Sequence, residues 1–241
     1  MINEPLVSIL MCVYNADRYL NEAIQSIILQ SYKNIEFIII DDGSEKKTKD
    51  ILNQYLNDSR IKIYHKQHSG LTKSLNYGLS KCTGKYIARQ DADDISDADR
   101  IYEQVKYLEN SDRKPTICGS FIYIFNNKCK REKKNPIYNL SIKRNLLFRN
   151  CIAHGSVMFS KSIINDYFFY NENLTCAQDY ELWRNLMDRV YYYNIPKYLY
   201  WYRTHDTAIS NNYRLKQHYN SLLISIFGFF KIGRKIGLKY L

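Results

Sequence analysis

The chain opens with Val7-Ser8-Ile9-Leu10-Met11-Cys12-Val13, an almost unbroken apolar run of the kind found in a strand buried on both faces. The period then changes. Leu20, Ala23, Ile24, Ile27 and Ile28 fall at i, i+3, i+4, i+7 and i+8, the stripe of an amphipathic helix, and Asn15 stands where a cap is wanted. Ile35 to Ile40 reads as a second buried strand and ends abruptly at Asp41-Asp42-Gly43-Ser44. A lysine-rich helix around Thr48–Tyr55, a strand Ile61–Tyr64, a helix around Leu71–Cys82 and a strand Lys85–Arg89 follow. This alternation predicts an α/β fold with a parallel sheet and helices on both faces. Ligands of such sheets bind beyond the carboxyl ends of the strands, and that edge receives Tyr14, Asp41-Asp42 and Asp91-Ala92-Asp93-Asp94.

Beyond the acidic cluster the pattern loosens. Ile101, Val105 and Leu108 mark a helix, and Ile117–Phe125 is a β-rich run closed by the turn signal Asn126-Asn127. The basic stretch Lys128–Lys134 reads as a solvated hairpin arm, Ser156–Phe159 as a strand, Tyr180–Met187 as a helix and Tyr191–Ile195 as a strand. Four prolines and no low-complexity linker predict one domain over residues 1–210 and a basic amphipathic tail over 211–241. In that tail Leu222, Leu223, Ile226, Phe227, Phe229 and Phe230 precede Lys231, Arg234, Lys235 and Lys239, with no acid after Asp206. Two readings stay open: a helix packed on the domain with solvated lysines, or an interfacial element meeting an anionic membrane surface. Gly228, Gly233 and Gly237 are expected to weaken a regular helix there.

Charge sharpens the picture. The 241 residues carry 35 Lys+Arg against 24 Asp+Glu, a formal net charge of +11, which suggests an anionic partner. A nucleic-acid binder is one such reading, but no nucleic-acid motif is present and the acidic strand ends would repel a phosphate backbone. The six cysteines contain no C-x-x-C pair, which argues against a zinc ribbon or disulfide scaffold and for a reducing compartment. With no signal peptide read at the N-terminus, the expected location is cytoplasmic, at most peripheral at the inner face of the membrane.

Carboxylates packed as closely as Asp91, Asp93 and Asp94 repel one another unless a cation lies between them, and hard Mg²⁺ or Mn²⁺ suits oxygen ligands completed by substrate phosphates. The alternative is helix capping by Asp93, Asp94, Ser96 or Asp97. Asp41-Asp42-Gly43-Ser44 is either turn chemistry or a carboxylate meeting a base or ribose. G-x-G-x-x-G, a P-loop and a G-x-S-x-G elbow are all absent, so a dinucleotide-binding reading loses its fingerprint. A sugar nucleotidyltransferase would carry a Gly-rich basic loop after the first strand, where this chain has Tyr14-Asn15-Ala16-Asp17.

The order V-S-I-L-M-C-V-Y-N, I-I-I-D-D-G-S, G-K-Y-I-A-R-Q-D-A-D-D, followed by H-G-S-V-M-F, Q-D-Y-E-L-W and Y-R-T-H, resembles the family 2 glycosyltransferases with the A-type nucleotide-diphospho-sugar fold. The likeness covers roughly residues 6–210. It implies a mostly parallel Rossmann-like sheet and transfer of a sugar, with inversion, from a nucleotide-diphosphate donor, usually a UDP-sugar. It further implies that Tyr14 and Asp42 bind the base, that Asp91 and Asp93 hold ribose and diphosphate, that Asp93 or Asp94 carries Mn²⁺ or Mg²⁺, and that Asp179 is the base for the acceptor hydroxyl. His205 matches a metal-ligating histidine of some relatives. Lys73 is read as either facing the diphosphate or a solvated helix lysine, and His154 as structural or acceptor-lining. The implied acceptor is a saccharide or polyprenyl-linked saccharide of bacterial surface polysaccharide or lipopolysaccharide. Absence of Q-x-x-R-W points to single-sugar addition.

Overall fold

The computed structural model describes residues 4–113, 116–164, 169–206 and 214–235, with side chains in the last segment described from Leu215 to Ile226. Strands β1 (Val7–Val13), β2 (Ile35–Asp41), β3 (Ile61–His65) and β4 (Tyr86–Asp91) alternate with helices α1 (Leu20–Ile28), α2 (Lys46–Asn53) and α3 (Leu71–Lys81). They pair in parallel in the order β3-β2-β1-β4. The chain thus leaves β1 on one side and returns for β4 on the other, and a crevice opens between the strand ends at such a switch point. Register sets Val13 beside Asp41 and Cys12 beside Asp91.

The second half departs from the parallel pattern. β5 (Ile95–Ser96), α4 (Arg100–Asn110), β6 (Thr116–Phe125), β7 (Lys130–Lys133), α5 (Asn139–Leu146), β8 (Met158–Ser160), α6 (Gln178–Leu186) and β9 (Tyr191–Arg203) extend the sheet to β3-β2-β1-β4-β8-β6-β9-β5, with β7 on β6. β8 is antiparallel to both β4 and β6, whereas β6 and β9 are parallel. β9 runs eight residues past Ile195, where the sequence pattern ends it, because Pro196 and Lys197 fall outside the β6 register and pairing resumes at Tyr198. A proline lacks the ladder N–H and is accommodated at such an irregularity. That extension carries Arg203 and His205 to the crevice.

Alternation divides the core. Val7, Ile9, Met11, Phe37 and Ile39 face α1, α2 and α4, while Leu10, Ile38, Ile40, Ile87 and Phe159 face α3, α5 and α6. At Gly78, α3 lies so close to β1 and β2 that a Cβ would collide with Leu10 and press on Ile40. α7 (Arg214–Lys235) continues through Gly228 and Gly233 despite their low helix propensity, while Gly237 lies outside the described residues. No helix among the described residues is long and apolar enough to cross a membrane.

At the opposite strand ends Glu36, 4% exposed, accepts from Ser8 Oγ at 2.5 Å, Thr83 N at 2.6 Å and Lys62 Nζ at 2.8 Å. Burial alone would raise this carboxyl, but the donors from Lys62, Ser8 and Thr83 outweigh it and hold the pKa down at about 2. A group depressed in the folded state adds stability above its ordinary value of 4.5 and loses it as pH falls toward about 2. Glu36→Gln is expected to cost about 1–3 kcal/mol at pH 7 by urea unfolding. The difference from wild type should shrink below pH 4.5; a constant difference across that window refutes the account.

Candidate active site

The end of β2 is tied down by its own carboxylates. Asp41, fully buried, accepts from Ser44 N at 2.9 Å and meets His65 Nδ1 at 2.8 Å. Asp42, 2% exposed, accepts from Ser69 N at 3.0 Å, Gly70 N at 2.8 Å and the Lys66 ammonium, with His68 Nδ1 3.0 Å away. Burial pushes Asp42 up, but these donors prevail and hold it below the usual carboxylate range. A carboxylate offers about four lone-pair sites, and the 66–70 loop engages them all. Gly70, at φ +94°, lets that loop enter α3. Above it the half-exposed Tyr14 ring stacks on His68, centroids 4.0 Å apart and planes at 27°.

Asn15 does not cap α1, whose cap position is Tyr19. At φ +48° it donates N–H to Ser44 Oγ at 3.1 Å and accepts Glu45 N–H at 2.8 Å, fastening the two strand-end loops together. Lys73, on the first turn of α3, is exposed, and the structure brings Lys66 rather than Lys73 to Asp42. Cys12 is a half-buried thiol pushed up to about 12 by desolvation, an apolar filler rather than a nucleophile.

At the end of β4 the buried Arg89 guanidinium donates to Asp91 Oδ1 at 2.7 Å and to the Leu10 and Gln90 carbonyls. Its Nε also points at His154 Nε2, 3.4 Å away, which receives Tyr170 Oη at 2.7 Å. Nε2 therefore accepts, and burial together with the Arg89 charge keeps the imidazole neutral. His154, read from the sequence as structural or acceptor-lining, is held in place by Arg89 and Tyr170. Gly155 is obligatory here, because a Cβ would strike the Tyr200 hydroxyl and the Asp91 carboxylate.

The three clustered acids separate into different environments. Asp94 is 1% exposed and accepts the Arg203 N–H at 2.7 Å, with burial and then the charges of Asp93 and Asp91 raising its pKa well above the usual range. It anchors β9 instead of lining the open crevice. Asp93 remains more than a third exposed, with His205 Nε2 2.9 Å from its Oδ2. The Tyr19 ring lies 5.1 Å from His205, and the Arg203 guanidinium lies over that ring. None of the three acids donates a side-chain cap to α4.

Asp179 occupies the first turn of α6, after Ala177 in the left-handed region at φ +60°. Its Oδ2 accepts from Asn150 Nδ2 at 2.7 Å. Burial raises its pKa, the Tyr180 N–H and Asn150 oppose that rise, and the charge of Asp91 adds to it. The preceding loop is clamped to α3: Asn76 pairs with Tyr170 through both amide atoms at 2.9 and 3.0 Å, and Thr72 Oγ1 donates to Leu174 O at 2.8 Å. The strand ends thus carry Tyr14 and His68 beside Asp42, Asp93 with His205 just past β4, and Asp179 near enough to Asp91 to feel its charge.

A sequence profile described as glycosyl transferase family 2 matches residues 8–168, more than half of the chain. The chain belongs to that family. An uncharacterised glycosyltransferase of Haemophilus influenzae is 36% identical over 90% of this chain and 71% of its own length. The O-antigen biosynthesis glycosyltransferase WbnJ of Escherichia coli is 32% identical over 84% of this chain and 81% of its own. Among solved structures, residues 1–349 of S. aureus TarS with UDP-GlcNAc superpose with a TM-score of 0.71 at 16% identity, over 84% of this chain and 59% of that one. A Pyrobaculum calidifontis mannosyltransferase holding GDP-Man and Mn²⁺ superposes with a TM-score of 0.69 at 15% identity, over 97% and 65%. These likenesses establish the A-type glycosyltransferase fold. The family 2 chain therefore spans less than two thirds of those two solved structures.

Sequence reasoning did not single out Lys66, His68, Arg89, Asn150 or Tyr170. Arg89 alone left a signal, a charge inside an otherwise buried strand. Asp42→Asn places an amide donor among donors. We expect it to cost about 1–3 kcal/mol and to speed hydrogen exchange at the Ser69 and Gly70 amides. Unchanged protection at those amides would show that the carboxylate does not hold the loop.

Proposed function

We propose that this glycosyltransferase moves a sugar, with inversion, from a UDP-sugar to an acceptor hydroxyl. The observation that carries the reading is the pairing of Asp179, a carboxylate with a raised pKa, with the Asp91–Asp93–His205 end of one crevice. A base of raised pKa accepts a proton more readily near neutrality. The Asp179 carboxylate takes the acceptor O–H proton as that oxygen attacks the anomeric carbon. The bond from that carbon to the diphosphate oxygen breaks on the far face, releasing the nucleoside diphosphate. One displacement inverts the configuration and needs no enzyme nucleophile. Asn150 orients Asp179 so that an oxygen faces the acceptor, and Tyr14 offers a ring for the base.

No three His, Cys, Asp or Glu side chains gather into a metal cluster among the described residues. The Asp93–His205 pair nonetheless fits Mn²⁺ or Mg²⁺, which are held by few protein ligands and completed by water and substrate phosphates. Asp93 and His205 would hold the ion, which supplies positive charge to the departing diphosphate. Asp91 is pinned by Arg89 and is assigned to ribose, Asp94 to anchoring β9. The TarS complex with UDP-GlcNAc supports a uridine donor, and the likeness to WbnJ, an O-antigen biosynthesis enzyme, supports an acceptor in surface polysaccharide or lipopolysaccharide synthesis, for which we propose a saccharide or polyprenyl-linked saccharide.

The deciding experiment is a donor panel. UDP-, GDP- and dTDP-sugars are incubated with and without Mn²⁺, and nucleotide release is measured; metal-stimulated release from UDP-sugars is expected. Preference for GDP-sugars overturns the uridine assignment. UDP and Mn²⁺ together should raise the melting temperature more than the sum of each alone, and Asp93→Ala should remove that synergy. Full synergy in Asp93→Ala moves the ion site elsewhere. Asp179→Asn keeps the shape but not the basicity, so turnover should fall by about 10²- to 10⁴-fold with UDP affinity retained. Near wild-type turnover in Asp179→Asn excludes it as the base.

A further inference from the structure

α7 presents its apolar residues outward. Leu215 is 88% exposed, Tyr219 62%, Leu222 58% and Ile226 42%. They follow one another at spacings of four, three and four, a single stripe along the helix, and Phe229 and Phe230 continue that spacing in the sequence. The opposite side of the helix faces the protein. Ser225 Oγ donates to Leu147 O at 2.8 Å, Asn220 Nδ2 donates to Cys176 O at 3.2 Å, Arg184 Nη2 donates to Ser225 O at 3.4 Å, and Ile224 packs against the core beneath α6. A helix that docks through hydrogen bonds and turns leucine, tyrosine and isoleucine to solvent is built to meet a second surface.

We propose that this surface is an anionic membrane, on which α7 lies flat with its stripe at the headgroup boundary. Charge decides between the occupants. Residues 207–241 contain no acid and six bases, Arg214, Lys216, Lys231, Arg234, Lys235 and Lys239. Two such helices zipped along the stripe would set like charges against each other with no acid to compensate, whereas anionic headgroups attract every one of them. The helix is about 30 Å long, and no described helix is apolar enough to cross the bilayer, so it lies in the interface plane.

Its placement gives docking a purpose. Asn220 bonds the carbonyl of Cys176, the residue before Ala177 and three before Asp179. The membrane-facing helix is thereby fastened to the loop that carries the proposed base, and an acceptor held in the lipid would arrive on that side of the crevice. This last step rests on the transferase reading; docking itself does not, and it is tested with no sugar present.

The experiment is flotation of the full chain with vesicles of phosphatidylcholine alone or mixed with phosphatidylglycerol. Binding is expected only to the anionic vesicles and is expected to weaken with salt. Leu215→Ser with Leu222→Ser and Ile226→Ser should lose binding while keeping the wild-type melting temperature, since all three side chains are exposed. Lys231→Gln with Arg234→Gln and Lys235→Gln should weaken binding by about fivefold per charge, roughly 100-fold together. Equal binding to neutral vesicles, no binding to either, or unchanged binding by the serine variant overturns the proposal. So does a wild-type dimer that the serine substitutions convert to a monomer, which would make the stripe a contact between copies.

Discussion

A guanidinium buried at zero exposure beneath an acidic strand end is the constraint on which the crevice depends. Arg89 cannot sit inside the sheet without a counter-charge, since an unpaired buried ion costs several kcal/mol. Asp91 supplies it, and the Leu10 and Gln90 carbonyls and the neutral His154 take the remaining donors. Arg100, equally buried, reaches the Arg89 and Gly155 carbonyls, and Arg203 bonds the Asp93 carbonyl and Glu22. Three arginines thus underlie Asp91, Asp93 and Asp94. Their charge offsets part of the repulsion among the three carboxylates, while burial and the rest of that repulsion still raise Asp91 and Asp94. Removing Asp91 would strand Arg89, so this acid belongs as much to folding as to any ligand.

The same economy separates the acids of the crevice by what each still has to offer. Asp41 and Asp42 are engaged by the backbone and side-chain donors of the loops they organise, whereas Asp94 gives Oδ1 to the Arg203 N–H and keeps a buried Oδ2 with no hydrogen-bond partner. Asp93 and Asp179 differ. One is exposed beside an imidazole nitrogen, and the other has a single side-chain donor and a pKa raised by burial. Electrostatic freedom, more than position in a motif, distinguishes a carboxylate available for chemistry from one that holds the architecture.

The parallel half of the fold was legible because its strands are buried on both faces and its helices carry regular stripes. The boundaries of β1, β2 and α3 fall within a residue or two of the apolar pattern. The second half was harder to read. β9 continues past Pro196 only because β6 tolerates an irregular register, a tertiary accommodation that no local pattern reveals. α5 carries just Ile142 and Leu146 on its buried side, too few to announce a helix. In the site, the acids stood out because they end apolar runs. Lys66 and His68 sit in a polar stretch with no periodicity, and only the folded loop shows that they meet Asp42 and Tyr14. Asn15 looked like a cap by composition, but its positive φ commits it to joining two loops.

The chain's positive charge and its acidic crevice also bear on one another. A net +11 draws anionic molecules toward the surface as a whole, raising encounter rates. At the strand ends the local sign reverses: Asp91, Asp93 and Asp179 gather there, while Arg89 and Arg100 are buried and already engaged. A diphosphate steered to this opening by the outer field would therefore meet carboxylates, with their neutralising cations out of reach. On the proposed reading, Asp93 and His205 would hold a divalent ion, which would supply the positive charge the diphosphate needs there. The buried arginines make the acid cluster stable, and that same burial is why they cannot do the metal's work.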